Sequence, residues 1–541
     1  MQKRKEEALL KITFYGAAKA VTGSCCCIET GGKRILIDCG LKQGRDESDG
    51  NELPFSATSI DHVIVTHAHI DHSGRLPLLS KNGYSGVFYC TGMTERLLSI
   101  MLPDSAYIQQ RDAEWDNQKG KRQGKPPVEP LYTIQDAEAT LKKISSYPYM
   151  QKFDICKGVS ARFSDAGHIL GSACVELWLE ENGITKKLVF TGDLGNTDQP
   201  IIRDPQKIEQ CDYLITESTY GARTHEPPED YTEDLANVLD KVFARGGNVI
   251  IPSFAVGRAQ ELLYIIREIK KRKLVNTLPD FKVYLDSPLA TAATRIFNGD
   301  LSGYLDDEAL KLIKLGENMF RFPGLTLTES YEDSIALNND PEPKVIISAS
   351  GMCDAGRIRH HLKHNLWRNE CAVVFVGYQA EGSLGRRLLD GEPRVRILGE
   401  DISVNAEIIN FKGMSAHADR EQLFEFADHF NPRPIHVFVV HGDTENAEGY
   451  TAYLKARGFS VHTPDLFEVY DLAENKLLKA GIPPKPKAEK EIFGKSLPDA
   501  YGELMKEINE LTEYVSQNKI SNKELRKLSS RIRRAMDSWK K

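Results

Sequence analysis

The sequence predicts an α/β protein in which one parallel-sheet domain interrupts another domain. Three observations predict it. The chain has 541 residues, more than one hydrophobic core spans, so two or more domains are expected. Short β-branched runs, punctuated by glycines, fill the first two hundred or so residues. From about Cys211 apolar runs alternate with long amphipathic stretches, and after about Arg394 the short strands resume. These shifts divide the chain into 1–210, an inserted 211–394, a returning 395–475 and a C-terminal 476–541.

In the first segment the strand candidates are Lys11–Tyr15, Cys25–Glu29, Arg34–Asp38, His62–Thr66, Gly86–Cys90, Ala173–Leu179 and Lys187–Thr191. The polar stretch Asp104–Pro130 reads as a long helix and then an exposed basic loop. In the insertion, strand–helix pairs recur: Asn248–Pro252 then Gly257–Lys270, Val283–Asp286 then Leu289–Phe297, Val345–Ser348 then Arg357–Asn365, and Ala372–Gly377 then Gly385–Asp390. Strand, turn and helix in repetition predict a parallel sheet. Ala406–Phe411 and His436–His441 read as strands of the returning segment.

The C-terminal segment opens on the linker GIPPKPKAEK. Leu504, Ile508, Leu511 and Val515 share one helical face, as do Leu525, Leu528, Ile532 and Trp539, so a helical hairpin is expected. Its second helix carries Lys523, Arg526, Lys527, Arg531, Arg533 and Arg534. These form a solvated basic face, or a surface that contacts RNA or a second copy in a homodimer.

Composition narrows the function classes. The chain is 41% hydrophobic and 27% charged, as an ordinary soluble enzyme is. No apolar run approaches the ~20 residues of a membrane span, and the N-terminus MQKRKEEALL has no apolar leader core. A cytoplasmic protein is expected. The net charge of −7 argues against a large uniformly basic surface. It is compatible with a local basic groove or a metal-centred phosphate site. Ten cysteines include the run Cys25, Cys26, Cys27 but no C-x-x-C pair. Neighbours in a strand point to opposite faces, so small buried thiols in a reducing compartment are expected, not disulfides.

The densest chemistry is His67-Ala-His69-Ile-Asp71-His72, just beyond the apolar run His62-Val-Ile-Val-Thr66. Three imidazoles and a carboxylate in six residues are metal donors, and zinc takes both types. On a turn, residues two apart converge on one ion while Asp71 and His72 reach a second. Two more donors sit at strand ends between glycines, where the backbone turns tightly. They are His168 in DAGHILGS and Asp193 in FTGDLG. Together with the first motif they complete two sites, and a carboxylate between two cations bridges them, which is the role expected of Asp193.

With LIDCG at Leu36–Gly40, these strings resemble the metallo-β-lactamase superfamily. Asp38 then matches the first acid of that pattern, which supports the metal loop. The fold implied is an αββα sandwich. Within the insertion, Glu217-Ser-Thr-Tyr-Gly221, Ile251-Pro-Ser-Phe-Ala-Val-Gly-Arg-Ala-Gln-Glu-Leu262, Asp286-Ser-Pro-Leu289, Ser348-Ala-Ser-Gly-Met352 and Gly377-Tyr-Gln-Ala-Glu-Gly-Ser-Leu-Gly-Arg386 resemble the β-CASP nucleases. Those include the cleavage subunit of pre-mRNA 3′-end processing and its bacterial and archaeal relatives. The likeness covers nearly all of Lys11–Leu472.

The resemblance implies further roles. Glu217, His417 and His441 fall on the three positions particular to the β-CASP group, with His441 the last metal ligand. Two zinc ions per chain are implied, one on His67, His69 and His168, the other on Asp71, His72 and His441, bridged by Asp193. A phosphodiester is anionic; two cations activate water near neutral pH and offset charge on phosphorus. His417 would protonate the leaving 3′-oxygen, and Glu217 would orient and charge it. The catalytic group is thus His417, Glu217, Asp193 and Asp38. Ser350, Ser383 and Arg386 lie in glycine-flanked turns, where they read as phosphate contacts or as ordinary turn and cap residues. Arg258 is a weaker candidate of the same kind.

The substrate implied is RNA, cut to leave 5′-phosphate and 3′-hydroxyl ends. A small-molecule metallohydrolase would share the zinc ligands but leave the insertion and the Glu217/His417 pair without a purpose. A DNA nuclease is disfavoured by His441, and a non-catalytic RNA-binding scaffold by the full set of ligands.

Overall fold

Strands of the first two sheets bury consecutive side chains, as strands covered on both faces do. The computed structural model describes residues 10–44, 50–225, 231–380, 382–411, 413–484, 525, 527–531 and 533. Strands β1 (Lys11–Gly16), β2 (Cys25–Thr30), β3 (Lys33–Ile37), β4 (His62–Ile64), β5 (Phe88–Thr91) and β6 (Ile144–Tyr147) follow one another across the first sheet. Pairing is antiparallel from β1 to β3 and parallel from β3 to β6. The second sheet takes β7 (Phe153–Cys156), β8 (Val159–Asp165), β9 (Ala173–Glu181), β10 (Ile184–Phe190) and β11 (Tyr213–Thr216).

A third sheet is parallel throughout. It is made from β12 (Val249–Pro252), β13 (Lys282–Leu285), β14 (Leu325–Leu327), β15 (Lys344–Ser348) and β16 (Ala372–Phe375), with β15 and β16 flanking β12. After the hairpin of β17 (Arg394–Ile397) and β18 (Glu400–Ser403), β19 (Glu407–Asn410) pairs with β16. Its sequence pattern places this strand with the returning segment, and the structure does not. It stays with the third sheet because Ala372–Phe375 offers a free parallel edge, with Phe375 opposite Asn410. The chain then returns. β20 (His436–Val439) and β21 (Val461–His462) extend the second sheet beside β11. β22 (Val469–Asp471) and β23 (Lys476–Lys479) extend the first beside β1.

The first two sheets pack face to face. Ile12, Phe14, Cys26 and Ile28 of one meet Val175, Leu177, Leu188 and Phe190 of the other. Their outer faces carry helices: Cys25, Cys27 and Leu36 pack with Leu97 and Leu98, and Val189, Leu214 and Val437 with Leu423, Phe426 and Leu454. This is the αββα sandwich. The cysteine run alternates between its two cores as expected, and all ten thiols are unpaired. One core is continuous from the helix Gly92–Arg122, through Ile169 and Leu170, to Val249, Ile251 and Val345 of the third sheet. Apolar packing therefore joins the sandwich to the inserted sheet beside His168.

That helix starts twelve residues earlier than its polar stretch suggested. Thr91 caps it by accepting from the Thr94 amide, and buried Leu97, Leu98, Met101 and Leu102 hold its first turns despite Pro103. The C-terminal hairpin falls almost wholly outside the described residues. Within the second compact unit, 484–541, residues 525, 527–531 and 533 are helical.

Candidate active site

The metal loop leaves β4 and is held from below by Asp38, at the end of β3 with φ of 60°. Asp38 accepts from the Thr66 amide and hydroxyl at 2.8 Å each, and its Oδ2 stands 2.8 Å from His72 Nδ1. It touches the loop and not the donors' open side, so it positions His72 and fixes which ring nitrogen faces inward. Gly40 is obligatory here: a Cβ would lie 1.5 Å from the Asp71 carbonyl oxygen. Gly195, in the Asp193 loop, is equally confined, with 1.7 Å to the Gly167 oxygen.

Every metal donor expected from the sequence converges. His67, His69, His168 and Asp193 form one group, and Asp71, His72 and His441 a second. His69 Nδ1 is 3.1 Å from His67 Nε2 and 3.2 Å from His168 Nε2, and His72 Nε2 is 3.0 Å from His441 Nε2. Asp193 lies between the groups. Its Oδ2 is 3.4 Å from His67 Nε2 and 3.6 Å from His168 Nε2; its Oδ1 is 3.2 Å from His72 Nε2 and 3.5 Å from His441 Nδ1.

The residues fit metal ions on two counts. Asp193 Oδ1 is buried without a hydrogen-bond partner, a costly state unless a cation satisfies it. The imidazole nitrogens also face one another at spacings close to the roughly 3.3 Å that two ligands on one tetrahedral zinc subtend. Burial pushes the pKa values of His67, His69 (to about 3) and His168 down, so these rings are neutral and free to ligate. His72 and His441 are buried too, but the Asp193 carboxylate draws both upward, with Asp38 also acting on His72.

The third cluster is Asp193, Glu217 and His417. Glu217, fully buried, follows β11; one oxygen accepts from the Leu194 amide at 2.6 Å and the other from the Thr219 amide at 3.2 Å. The first oxygen also faces His417 Nδ1 at 3.2 Å. The 416–418 segment pairs antiparallel with the Asp193 loop, which brings the His417 ring within 4.5 Å of the His168 ring, centroid to centroid. Burial pushes the His417 pKa down, but Glu217, with Asp193 and Asp71, raises it to about 9. Glu217 thus favours the protonated form of the imidazole beside the donor groups.

Some supporting residues were missed. Thr219 Oγ1 lies 3.2 Å from His441 Nδ1. His225 Nε2 meets the His417 carbonyl at 2.9 Å, its amide binds Asp419 Oδ2 at 2.9 Å, and its ring packs on Tyr220 at 4.8 Å. The only signal for His225 was its place just after the Glu217 motif, beside two prolines.

The phosphate candidates are more scattered. Ser350 and Ser383 lie in loops beyond β15 and β16. Ser383 caps the helix Leu384–Leu389, accepting from the Arg386 amide, and Arg386 pairs with Asp390 at 2.8 Å. Ser350 Oγ bonds within its own turn, to the Ala355 oxygen at 3.4 Å. Arg258 is buried and paired with Glu261.

Comparison with known proteins agrees with this arrangement. Residues 19–92 match the metallo-β-lactamase superfamily, 259–388 the β-CASP domain, and 401–464 a Zn-dependent metallo-hydrolase RNA specificity domain. Ribonuclease TTHA0252 of Thermus thermophilus is 37% identical over 454 residues, 84% of this chain and 97% of that protein. The transcription termination factors FttA of Methanosarcina mazei and Methanocaldococcus jannaschii are 34% and 32% identical, each over 80% of this chain and 67% of the relative. The chain belongs to the metallo-β-lactamase superfamily, in the branch that carries the β-CASP domain.

Proposed function

We propose that this protein is a metal-dependent ribonuclease that hydrolyses RNA to 5′-phosphate and 3′-hydroxyl ends, in RNA processing or decay. One observation carries the reading. Asp193 turns one carboxylate oxygen to each donor group, and His417, paired with Glu217, stands beside the same carboxylate. A hydrolase that needed only to activate water would not require that second, proton-giving arrangement.

His67, His69 and His168 would hold one zinc ion, and Asp71, His72 and His441 another, with Asp193 between them. Bound there, two cations supply Lewis acidity and lower the pKa of water. His417 gives a proton from Nε2 to the leaving 3′-oxygen, because Nδ1 is engaged by Glu217. The amides of Leu194 and Thr219 keep the Glu217 carboxylate placed. Ser350, Ser383 and Arg386 sit beyond the C-terminal ends of parallel strands, where ligands of such sheets bind, and serve the neighbouring phosphates. Arg258, already paired with Glu261, has less to offer.

RNA is favoured as substrate by the RNA specificity match, which contains both His417 and His441, and by the name of the Thermus relative. In this reading 1–210 and 395–475 form the catalytic sandwich and 211–394 the inserted domain, whose sheet reaches Asn410. The protein acts in the cytoplasm, alone or as a homodimer. Among the described residues no helix is long and apolar enough to cross a membrane. Incubating labelled RNA and DNA side by side, with and without chelator, tests the proposal. RNA cleavage abolished by chelator is expected. DNA cleavage alone, or no cleavage of either, would overturn it.

A further inference from the structure

Three loops leave the C-terminal ends of the adjacent strands β12, β15 and β16 and close around one aromatic ring. Phe254, just beyond β12, is 41% exposed. Its ring lies against two glycines. A Cβ on Gly351, beyond β15, would stand 3.1 Å from Phe254 Cδ2 and 3.2 Å from Cε2. A Cβ on Gly377, beyond β16, would stand 3.8 Å from Cε2.

The two glycine loops are tied together. Buried Gln379 donates from Nε2 to the Gly351 carbonyl at 3.0 Å and to the Gly377 carbonyl at 3.3 Å. The Phe254 loop is tied down as well, since the Ser253 amide bonds the Ser348 oxygen and the Ala259 amide the Phe254 oxygen. The Cδ2–Cε2 edge of the ring thus rests on pinned main chain, and 41% of the residue is left exposed. A stacking surface for a flat group has this form.

The platform adjoins the reacting centre. Tyr378, next to Gly377, has its ring 6.2 Å from Tyr220, which is 6.3 Å from His417, centroid to centroid. On the other side, a Cβ on Gly257 would lie 3.3 Å from Ile169 Cγ2, beside His168. The Phe254 loop thus reaches Ile169, next to a metal-donor histidine, while the Gly377 loop that touches Phe254 reaches toward His417 through Tyr378 and Tyr220.

We propose that Phe254 is a nucleobase-stacking platform for a nucleotide beside the scissile phosphate. This rests on the ribonuclease reading and adds a subsite to it. Every base has a π-face, so stacking holds a single strand without reading its sequence. The ring would set the distance of one base from the cut and so help place the phosphate between the two donor groups.

Single-turnover cleavage of short RNAs, each with one abasic position walked along the strand, tests this. In the unaltered protein, an abasic residue at the position nearest the cut should raise the half-saturating concentration about 10-fold, in the range that loss of one stacked base implies. Phe254→Ala should raise it about as much on intact RNA, with the maximal rate changed far less. In that variant the abasic residue should then add nothing, and Phe254→Trp should restore binding. A Phe254→Ala variant that binds intact RNA normally, or in which the two losses multiply, would overturn the platform. If the unaltered protein cleaves no RNA, the ribonuclease reading fails and takes the platform with it.

Discussion

Glu217 Oε1 faces His417 Nδ1 at 3.2 Å and is itself held by the Leu194 amide at 2.6 Å. Leu194 follows Asp193, so one short loop places both the carboxylate between the two donor groups and the amide that holds the partner of His417. Replacing His417 by Ala should keep the bound metal and RNA affinity while cutting the cleavage rate by roughly 10²–10⁴-fold. The loss should shrink on a nitrophenyl phosphodiester, whose leaving group needs no proton. Equal losses on both substrates, or a lost metal, would remove His417 from the role.

The pH profile of kcat carries the same signature. As the proposed proton donor His417 would act only while protonated, and its pKa is raised from the ordinary 6.5 to about 9. Activity should therefore fall on the alkaline side as His417 loses its proton. Cations in the two adjacent sites repel that proton and draw the fall below 9, toward 6.5. His417→Ala should erase this alkaline limb, and a limb that survives would assign it elsewhere.

His225 is expected to act through His417, since its ring nitrogen holds the His417 carbonyl. One positioning hydrogen bond is worth roughly 0.5–1.5 kcal/mol, so His225→Ala should slow RNA cleavage about 3- to 10-fold. In the His417→Ala background the same change should cost almost nothing. Penalties that multiply in the double variant would make His225 merely structural.

How much of this was legible in the sequence follows from where the information lies. The donors in HAHIDH announced themselves because four ligands in six residues have few other uses, and the structure gathers them. The alternation of Cys25, Cys26 and Cys27 was legible because strand geometry has a strict period. β7 and β8 are not among the strand candidates, although VSARFSD alternates apolar and polar residues and Gly158 marks the turn before it; β7, FDIC, is too short to show a period. β19 went to the wrong sheet because EIIN has no local mark of its partner. His225 was unreadable because its role depends on a carbonyl 192 residues away.

Asp286 gives a stability prediction in the inserted sheet. It is fully buried, and it binds Arg357 Nη1 at 2.7 Å, His361 Nε2 at 2.6 Å and Ser334 Oγ at 2.5 Å. Burial raises its pKa, but His361, Ser334 and Arg357 outweigh that and hold it below the usual 3.8. A lowered carboxylate pKa contributes stability that is complete above the unfolded value, ~3.9, and is lost as pH falls through the folded one. Asp286→Ala should cost on the order of 1–3 kcal/mol near neutral pH, because it leaves His361 Nε2 and Ser334 Oγ buried without their partner. Urea unfolding at neutral and strongly acidic pH would show the gap between variant and parent narrowing in acid; a constant gap would contradict the network.

The measurement nearest the centre of the account is the metal content of the purified protein set against its activity. Seven donors in two groups sharing Asp193 predict close to two zinc ions per chain. Chelation should remove both the metal and RNA cleavage, and added zinc should restore them. Protein that was purified in zinc, holds no metal and still cleaves RNA would contradict the account.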